Sequence, residues 1–303
     1  MNRLQSFPLI LLLFSFSSCI EFEREKLTYI HDEEKDELRV TLTYEGIFGN
    51  LDKGQNTQSG PDDITTKDNL NQKQIEQLES VLAQKRAFFF NNWIFEYNQN
   101  SLKQILEKEE EELTTEGKVF GKPEKELIKS LLAEIEIENA GFYLDAKGRL
   151  CGAQTLRLSN ASKVITMANK VLGRQLKARL PEMKNFSPET ITLIREKLKD
   201  DFPFIRLSGN LLHLSMIMNR ADQVKFSENS LTKLPNGIRI EFSDEILSLK
   251  CGDKDDESGF ASMKCFEGYQ PNAHNYIAKV VPNLLIKENL INERINEFLS
   301  FQK

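Results

Sequence analysis

Three histidines, three downstream cysteines and one acidic loop are the residues of this chain whose types could do chemistry. His31 lies in a charged turn, His213 in an apolar run and His274 in a segment after Pro271. They are too far apart in sequence for one local metal clamp, so a metal site would have to be assembled wholly by the fold, and none is expected. No glycine-rich phosphate loop, GxSxG elbow, HExxH pair or CxxC clamp occurs. Asp253, Asp255 and Glu257 place oxygen ligands at alternate positions, as a calcium loop does. Ser258 stands where the sharp-turn glycine belongs and Lys264 where the bidentate glutamate belongs, so an ordinary acidic turn is expected. Carboxylates are plentiful, but their pairing into an acid and a base is a property of the fold and no catalytic residue can be nominated.

The charge pattern inverts between Arg157 and Lys184. Arg157, Lys163, Lys170, Arg174, Lys177, Arg179 and Lys184 stand there against the single acid Glu182, inside an acidic chain. At about 100° per residue, Lys163, Lys170, Arg174 and Lys177 fall within about 60° of each other, while Val164, Ile165, Ala168, Val171 and Leu172 face the other way. That is an amphipathic helix with one basic ridge. The ridge is a candidate site for anionic partners such as phospholipid headgroups, lipopolysaccharide phosphates or acidic glycans. The competing reading is a core-packing helix whose solvated face is basic or pairs with acidic runs elsewhere.

At the amino terminus, Arg3 supplies a positive charge, Leu4 to Phe16 is mostly apolar, and small residues lead to Cys19. The apolar stretch is interrupted by Pro8 and is shorter than the about 20 residues that span a bilayer. Glu21, Glu23, Arg24, Glu25 and Lys26 follow at once, so charge begins where the apolar stretch ends. The residues Phe16, Ser17, Ser18 and Cys19 resemble the lipobox of bacterial lipoproteins, with Phe16 where an aliphatic residue is usual. The resemblance covers those few residues. It implies a signal peptide over residues 1–18, cleavage before Cys19, and a diacylglycerol and an acyl group on that cysteine, enough for stable membrane anchoring.

Removing residues 1–18 leaves 39 basic and 46 acidic side chains, a net charge of −7. That balance argues against non-specific nucleic-acid binding, and no nucleic-acid partner is expected. Cys151, Cys251 and Cys265 remain after Cys19, so at most one internal disulfide can form. Cys251 and Cys265 flank a polar loop and are the candidate pair. The alternative is two reduced cysteines on adjacent strands. Cys151 is expected as a small core residue.

These residues must be positioned by an α+β body over residues 27–303, tethered through residues 19–26 and with a candidate division near residues 113–123. Period-two alternation in Leu27 to Ile30 and Leu38 to Tyr44 predicts a hairpin around the turn His31 to Asp36. The polar stretch from Gly49 to Asn69 predicts a loop. A helix is expected from Asn71 to about Glu112, interrupted near residues 98–100, whose aromatic middle (Phe88, Phe89, Phe90, Trp93, Phe95, Tyr97) crosses the core or lines a ligand groove.

A shorter helix begins near Pro123. Two strands over Glu134 to Leu158 meet at Asp145 to Gly148, where Gly148 can take positive φ. Ser159 or Asn160 caps the ridge helix, which runs to about Leu180; Ser187 caps another that ends near Phe202 and Pro203. Strands follow over Phe204 to Leu207, Leu211 to Met218, Ile238 to Phe242 and Glu245 to Cys251. Leu285, Ile291, Ile295 and Phe298 mark the apolar face of a last helix. Hairpins and helices without regular βαβ alternation give antiparallel sheets with several amphipathic helices.

The function expected is a lipid-anchored protein of the bacterial cell envelope, at the outer membrane or a periplasmic face. Its body binds or scaffolds an anionic envelope or host macromolecule, without cofactor or metal and without enzymatic activity. The alternatives are an envelope hydrolase using dispersed carboxylates, or a carrier of lipid or another small ligand using the aromatic segment.

Overall fold

The computed structural model describes residues 20–49, 86–89, 95–107, 120–183, 186–199, 201–230, 234–265 and 284–300. Within them the chain is α+β, with six α-helices and three antiparallel sheets. Cys19, the expected signal peptide and loop, the helix expected before residue 86, Phe90, Trp93, Lys184 and His274 lie outside the described residues.

Two long strands, β1 (Ile20–Asp32) and β2 (Glu37–Gly49), form the first hairpin. Its turn is fixed locally: Asp32 Oδ1 accepts the backbone N–H groups of Glu34 and Lys35, both at 3.1 Å, and Asp36 takes the left-handed φ of 50°. Residues 20–26, expected to be a tether, are instead the first half of β1. Arg24 and Lys26 pair across the sheet with Glu45 of β2.

The expected aromatic helix is also corrected. Residues 86–98 hold two short paired strands, β3 (Arg86–Phe89) and β4 (Phe95–Asn98), with Phe89 opposite Phe95. Aromatic residues favour a pleated strand, and a short apolar run does not distinguish strand from helix by period. Helix α1 (Gln99–Glu107) follows, then α2 (Lys122–Glu134) beginning beside Pro123 as expected.

Strands β5 (Ile135–Leu144) and β6 (Leu150–Leu158) pair as the sequence predicts, and Gly148 in their turn has φ 73°. Together with β1, β2 and a last strand, β11 (Gly259–Lys264), they make a five-stranded sheet in the order β11-β1-β2-β6-β5. Alternation gives it two apolar faces. Val40, Leu42, Leu156 and Leu158 meet Ile128 of α2, Ile105 of α1 and Tyr97 of β4 on one side. On the other, Tyr143, Cys151 and Ala153 pack on the fully buried Ile291 of the last helix, α6 (Glu288–Leu299). Buried Gln154 ties the small hairpin to the sheet: its amide donates to the Arg86 carbonyl and to Asn139 Oδ1, each at 2.7 Å, and accepts the Tyr44 hydroxyl at 2.9 Å.

A second, four-stranded sheet has the order β7-β8-β10-β9, from β7 (Ile205–Ser208), β8 (Leu211–Ile217), β9 (Ile238–Phe242) and β10 (Ile246–Cys251). Helices α3 (Ala161–Arg179) and α4 (Pro188–Lys197) cover part of it, with Leu176, Leu180, Ile194 and Leu198 packed around Phe204 and Ile217. Ser187 caps α4 as expected, accepting the Thr190 N–H at 3.2 Å, although the helix stops at Lys197. Helix α5 (Arg220–Ser230) has no counterpart in the sequence reading. Its buried Gln223 donates to the carbonyls of Met218 at 2.7 Å and Ser243 at 2.8 Å.

Candidate functional site

Helix α3 carries the ridge, and the hairpin turn positions its start. Asn160 sits at the N-cap in the left-handed region and makes no side-chain cap bond. The cap comes from Asp36: its Oδ1 accepts the Ser162 N–H at 2.9 Å, its Oδ2 the Ser162 hydroxyl at 2.6 Å, and its backbone carbonyl the Ala161 N–H at 3.0 Å. The negative carboxylate also suits the positive end of the helix dipole. Val164, Val171 and Leu176 face inward, as the periodicity requires.

The structure divides the four ridge residues. Lys163, Lys170 and Lys177 are exposed. Arg174 turns to Glu124 of α2, with Nε 3.2 Å from Oε1. Glu124 is 4 % exposed and also accepts the Gly121 N–H at 3.0 Å, so its carboxylate is satisfied by the start of its own helix and by α3. The ridge is therefore three lysines at seven-residue spacing, each step about 10 Å along the helix, while Arg174 locks α3 to α2. Among the described residues no carboxylate pairs with Lys163 or Lys170.

The ridge also borders the second sheet. The Asn169 side chain imitates a strand partner along the free edge of β7: its amide donates to the Ile205 carbonyl at 2.9 Å and its carbonyl accepts the Ile205 N–H at 2.8 Å. Lys170 and Arg206 each follow one partner of this joint. Neither Asn169 nor Arg206 had a local signal, because an edge-capping asparagine differs from any other helical asparagine only in what lies beside it.

The other candidates disperse. Cys151, Cys251 and Cys265 are free thiols, which corrects the expected disulfide. Cys251 Sγ donates to the Phe260 carbonyl at 3.4 Å, near the start of β11, whereas the Cys265 N–H reaches Glu23 beyond its other end. The intervening strand holds the cysteines about 16 Å apart, against the about 7 Å a disulfide tolerates. Burial, followed by the nearby Glu25 carboxylate, pushes the Cys265 thiol up to about 12. Burial pushes the Cys151 thiol up to about 11.

In the acidic loop the Asp253 carboxylate is already engaged. Asp253 Oδ1 accepts the Lys254 N–H at 2.8 Å and its Oδ2 lies 3.6 Å from Arg239. No group of three His, Cys, Asp or Glu side chains among the described residues could hold a metal ion. His31 Nδ1 lies 3.2 Å from the Gly209 carbonyl, and His213 belongs to the second sheet, far along the chain from it. No helix among the described residues is long and apolar enough to cross a membrane.

Near Ile20 the sheet ends in a compensated charge network. Arg149 reaches Glu23 at 2.6 Å, Asp145 at 2.7 Å and Glu45 at 4.0 Å. Burial raises the Asp145 carboxyl, but the hydrogen bonds from Arg149 outweigh it and hold the group below its usual range. Compared with known proteins, the chain matches no family model, no curated protein and no solved structure.

Proposed function

We propose that this chain is a lipid-anchored protein of the bacterial cell envelope whose α+β body acts by binding, without catalysis or cofactor. Ile20, the first residue of β1, carries the reading. It directly follows Cys19, so a lipid on that cysteine would join the rigid sheet at its end and hold the body close to the bilayer. From Ile20 to Tyr29 the strand extends by up to about 30 Å. The contacts of Tyr29 and His31 with Asn210 lie at that far end, as does Asp36 at the start of α3. An anchor at Cys19 would therefore present the second sheet and the beginning of the lysine ridge away from the attachment point. The partner favoured by the ridge is an anionic macromolecule of the envelope or of a host.

The test is lipid incorporation. The full chain and its Cys19→Ser variant are expressed in a bacterium supplied with labelled palmitate, then partitioned in a phase-separating detergent. The wild-type chain should take up label and enter the detergent phase, and the variant should take up no label. Unlabelled wild-type protein in the aqueous phase would remove the reading.

A further inference from the structure

The second sheet carries an ordered row of bases that no local sequence pattern announces. Arg206 of β7 is the cross-strand partner of His213 of β8, His213 of Lys250 of β10, and Lys250 of Arg239 of β9. Direct partners point to the same face, so these four side chains form one line from edge to edge of the sheet, about 14 Å long at the usual strand spacing. On the same face, the next positions toward α3 and α4 are the buried Phe204 and Ser215. The row lies on the half that no described helix covers, with Arg206 and Arg239 exposed and His213 and Lys250 half-buried.

Like charges directly opposite one another repel, and the row is arranged to limit this. Arg206 donates to His213 Nδ1, which fixes a neutral imidazole with its proton on Nε2, 3.4 Å from Ser215 Oγ. Lys250 pairs with Glu241 at 2.6 Å. Arg239 reaches Asp253 at 3.6 Å and donates to the Gly252 carbonyl at 2.8 Å. Arg206 has no carboxylate partner among the described residues. With His213 neutral, three cations face two carboxylates, a local charge of +1. Protonation makes it +2 and replaces the Arg206–His213 hydrogen bond by repulsion, which releases the guanidinium.

We propose that this row binds the acidic groups of a linear polysaccharide carrying carboxylates or sulfates, and that protonation of His213 strengthens the binding. An open strip with cations at regular strand intervals suits an extended chain rather than a compact ion. Guanidinium forks match carboxylate geometry. Ser208 and Ser248, both half-buried on this face, offer hydroxyl partners for sugar. No aromatic ring stands in the row, so it lacks the platform on which nucleic-acid bases stack. The groups facing His213 are Arg206 from β7, Lys250 from β10 and, one strand further, Glu241 and Arg239 from β9. Burial, then Arg206 and Lys250, hold its pKa below the ordinary 6.5, against the opposing effect of Glu241. An anion lying across the row opposes the repulsion from both cations.

This inference names a partner class for the binding body and rests on that part of the proposed function. It does not need the lipid, so Cys19→Ser should bind equally well. The full chain in detergent micelles is titrated with fluorescent dextran sulfate, polygalacturonate and neutral dextran at about pH 7.5 and about pH 5.5. Affinity for at least one acidic polymer should rise roughly three- to tenfold on acidification, with neutral dextran unbound. A response to one acidic polymer alone identifies the preferred anion. The double variant Arg206→Gln, Arg239→Gln should lose roughly tenfold or more at both pH values, and His213→Gln should abolish the rise.

Circular dichroism checks the fold of each variant. The wild-type protein also supplies a measurement independent of folding variants: saturating polymer should raise the His213 titration midpoint seen by NMR, by the reciprocity of linked binding. Binding that ignores pH, a rise that survives in His213→Gln, or an unmoved His213 midpoint would each overturn the proposal.

Discussion

The Tyr29 hydroxyl lies 2.8 Å from the Cys251 carbonyl oxygen, 222 residues away in the chain, and joins the two large sheets. It also lies 3.0 Å from the Asn210 carbonyl and accepts the Leu212 N–H at 3.3 Å, so one phenol of β1 serves β8, β10 and the turn between β7 and β8. Burial, reinforced by Cys251, raises its pKa far above the ordinary 10, so the group remains a donor at any physiological pH. Gly259 leaves the room: a Cβ there would fall 2.0 Å from Tyr29 Cζ.

Tyr29→Phe should destabilise the protein by about 1–3 kcal/mol, because it strands buried backbone groups without adding volume. Calorimetry should show the melting temperature falling by about 2–5 °C. A change under about 0.5 kcal/mol would mean that the joint is held by other contacts. Gly259→Ala should cost more than Tyr29→Phe, since the ring cannot stay where it is.

Asp36→Ala should cost about 1 kcal/mol, the usual value of an N-cap, with an added penalty for the left-handed φ of 50°. Asp36→Asn keeps an acceptor and tolerates that φ, so it should cost less. Hydrogen exchange should localise the loss to the first turn of α3. Equal exchange in wild type and Asp36→Ala would show that the cap is dispensable.

Arg174 and Lys170 should behave differently although both belong to the same predicted ridge. Arg174→Gln leaves the Glu124 carboxylate buried with fewer donors and should cost about 1–2 kcal/mol by urea unfolding. Lys170→Gln, at an exposed position, should stay within about 0.5 kcal/mol. Equal effects would contradict the Arg174–Glu124 lock.

Thiol titration separates the two readings of the cysteines. Without reductant, the unfolded mature chain should yield the three free thiols of Cys151, Cys251 and Cys265. A single reactive thiol would mean that Cys251 and Cys265 are bonded after all. In the folded protein all three should react slowly, because Cys151 and Cys251 are buried and the half-buried Cys265 keeps its proton up to about 12.

His213 should make stability fall at mildly acidic pH. Its folded pKa lies below the unfolded value of about 6.5, so in that window the unfolded chain binds more protons and unfolding is favoured as pH drops. The contribution is fully present above the unfolded pKa and is lost as pH falls through the window. The melting temperature of wild type should therefore fall relative to that of His213→Gln as pH decreases from about 7.5 to about 5.5. Parallel curves would show that His213 does not sense the cations beside it.

Local chemistry was enough to write much of this structure from the residues. Period-two alternation marked the β1–β2 hairpin, Gly148 its later counterpart between β5 and β6, Ser187 the start of α4, and the spacing of Val164 and Val171 the buried side of α3. Each depends on neighbours within a few positions, where backbone preference and side-chain period act directly. The first half of β1 does not show in the sequence because its alternation is masked by charge, and two of those charges, Arg24 and Lys26, are met by Glu45 of β2. Asp36 displaced the local cap Asn160, Glu124 withdrew Arg174 from the ridge, and β11 kept Cys251 from Cys265. The row Arg206, His213, Lys250, Arg239 exists only through strand register. Register, burial and the joining of two sheets through Tyr29 are set by apolar faces that must find each other across tens to hundreds of residues, and only the folded chain decides which charges those encounters leave side by side.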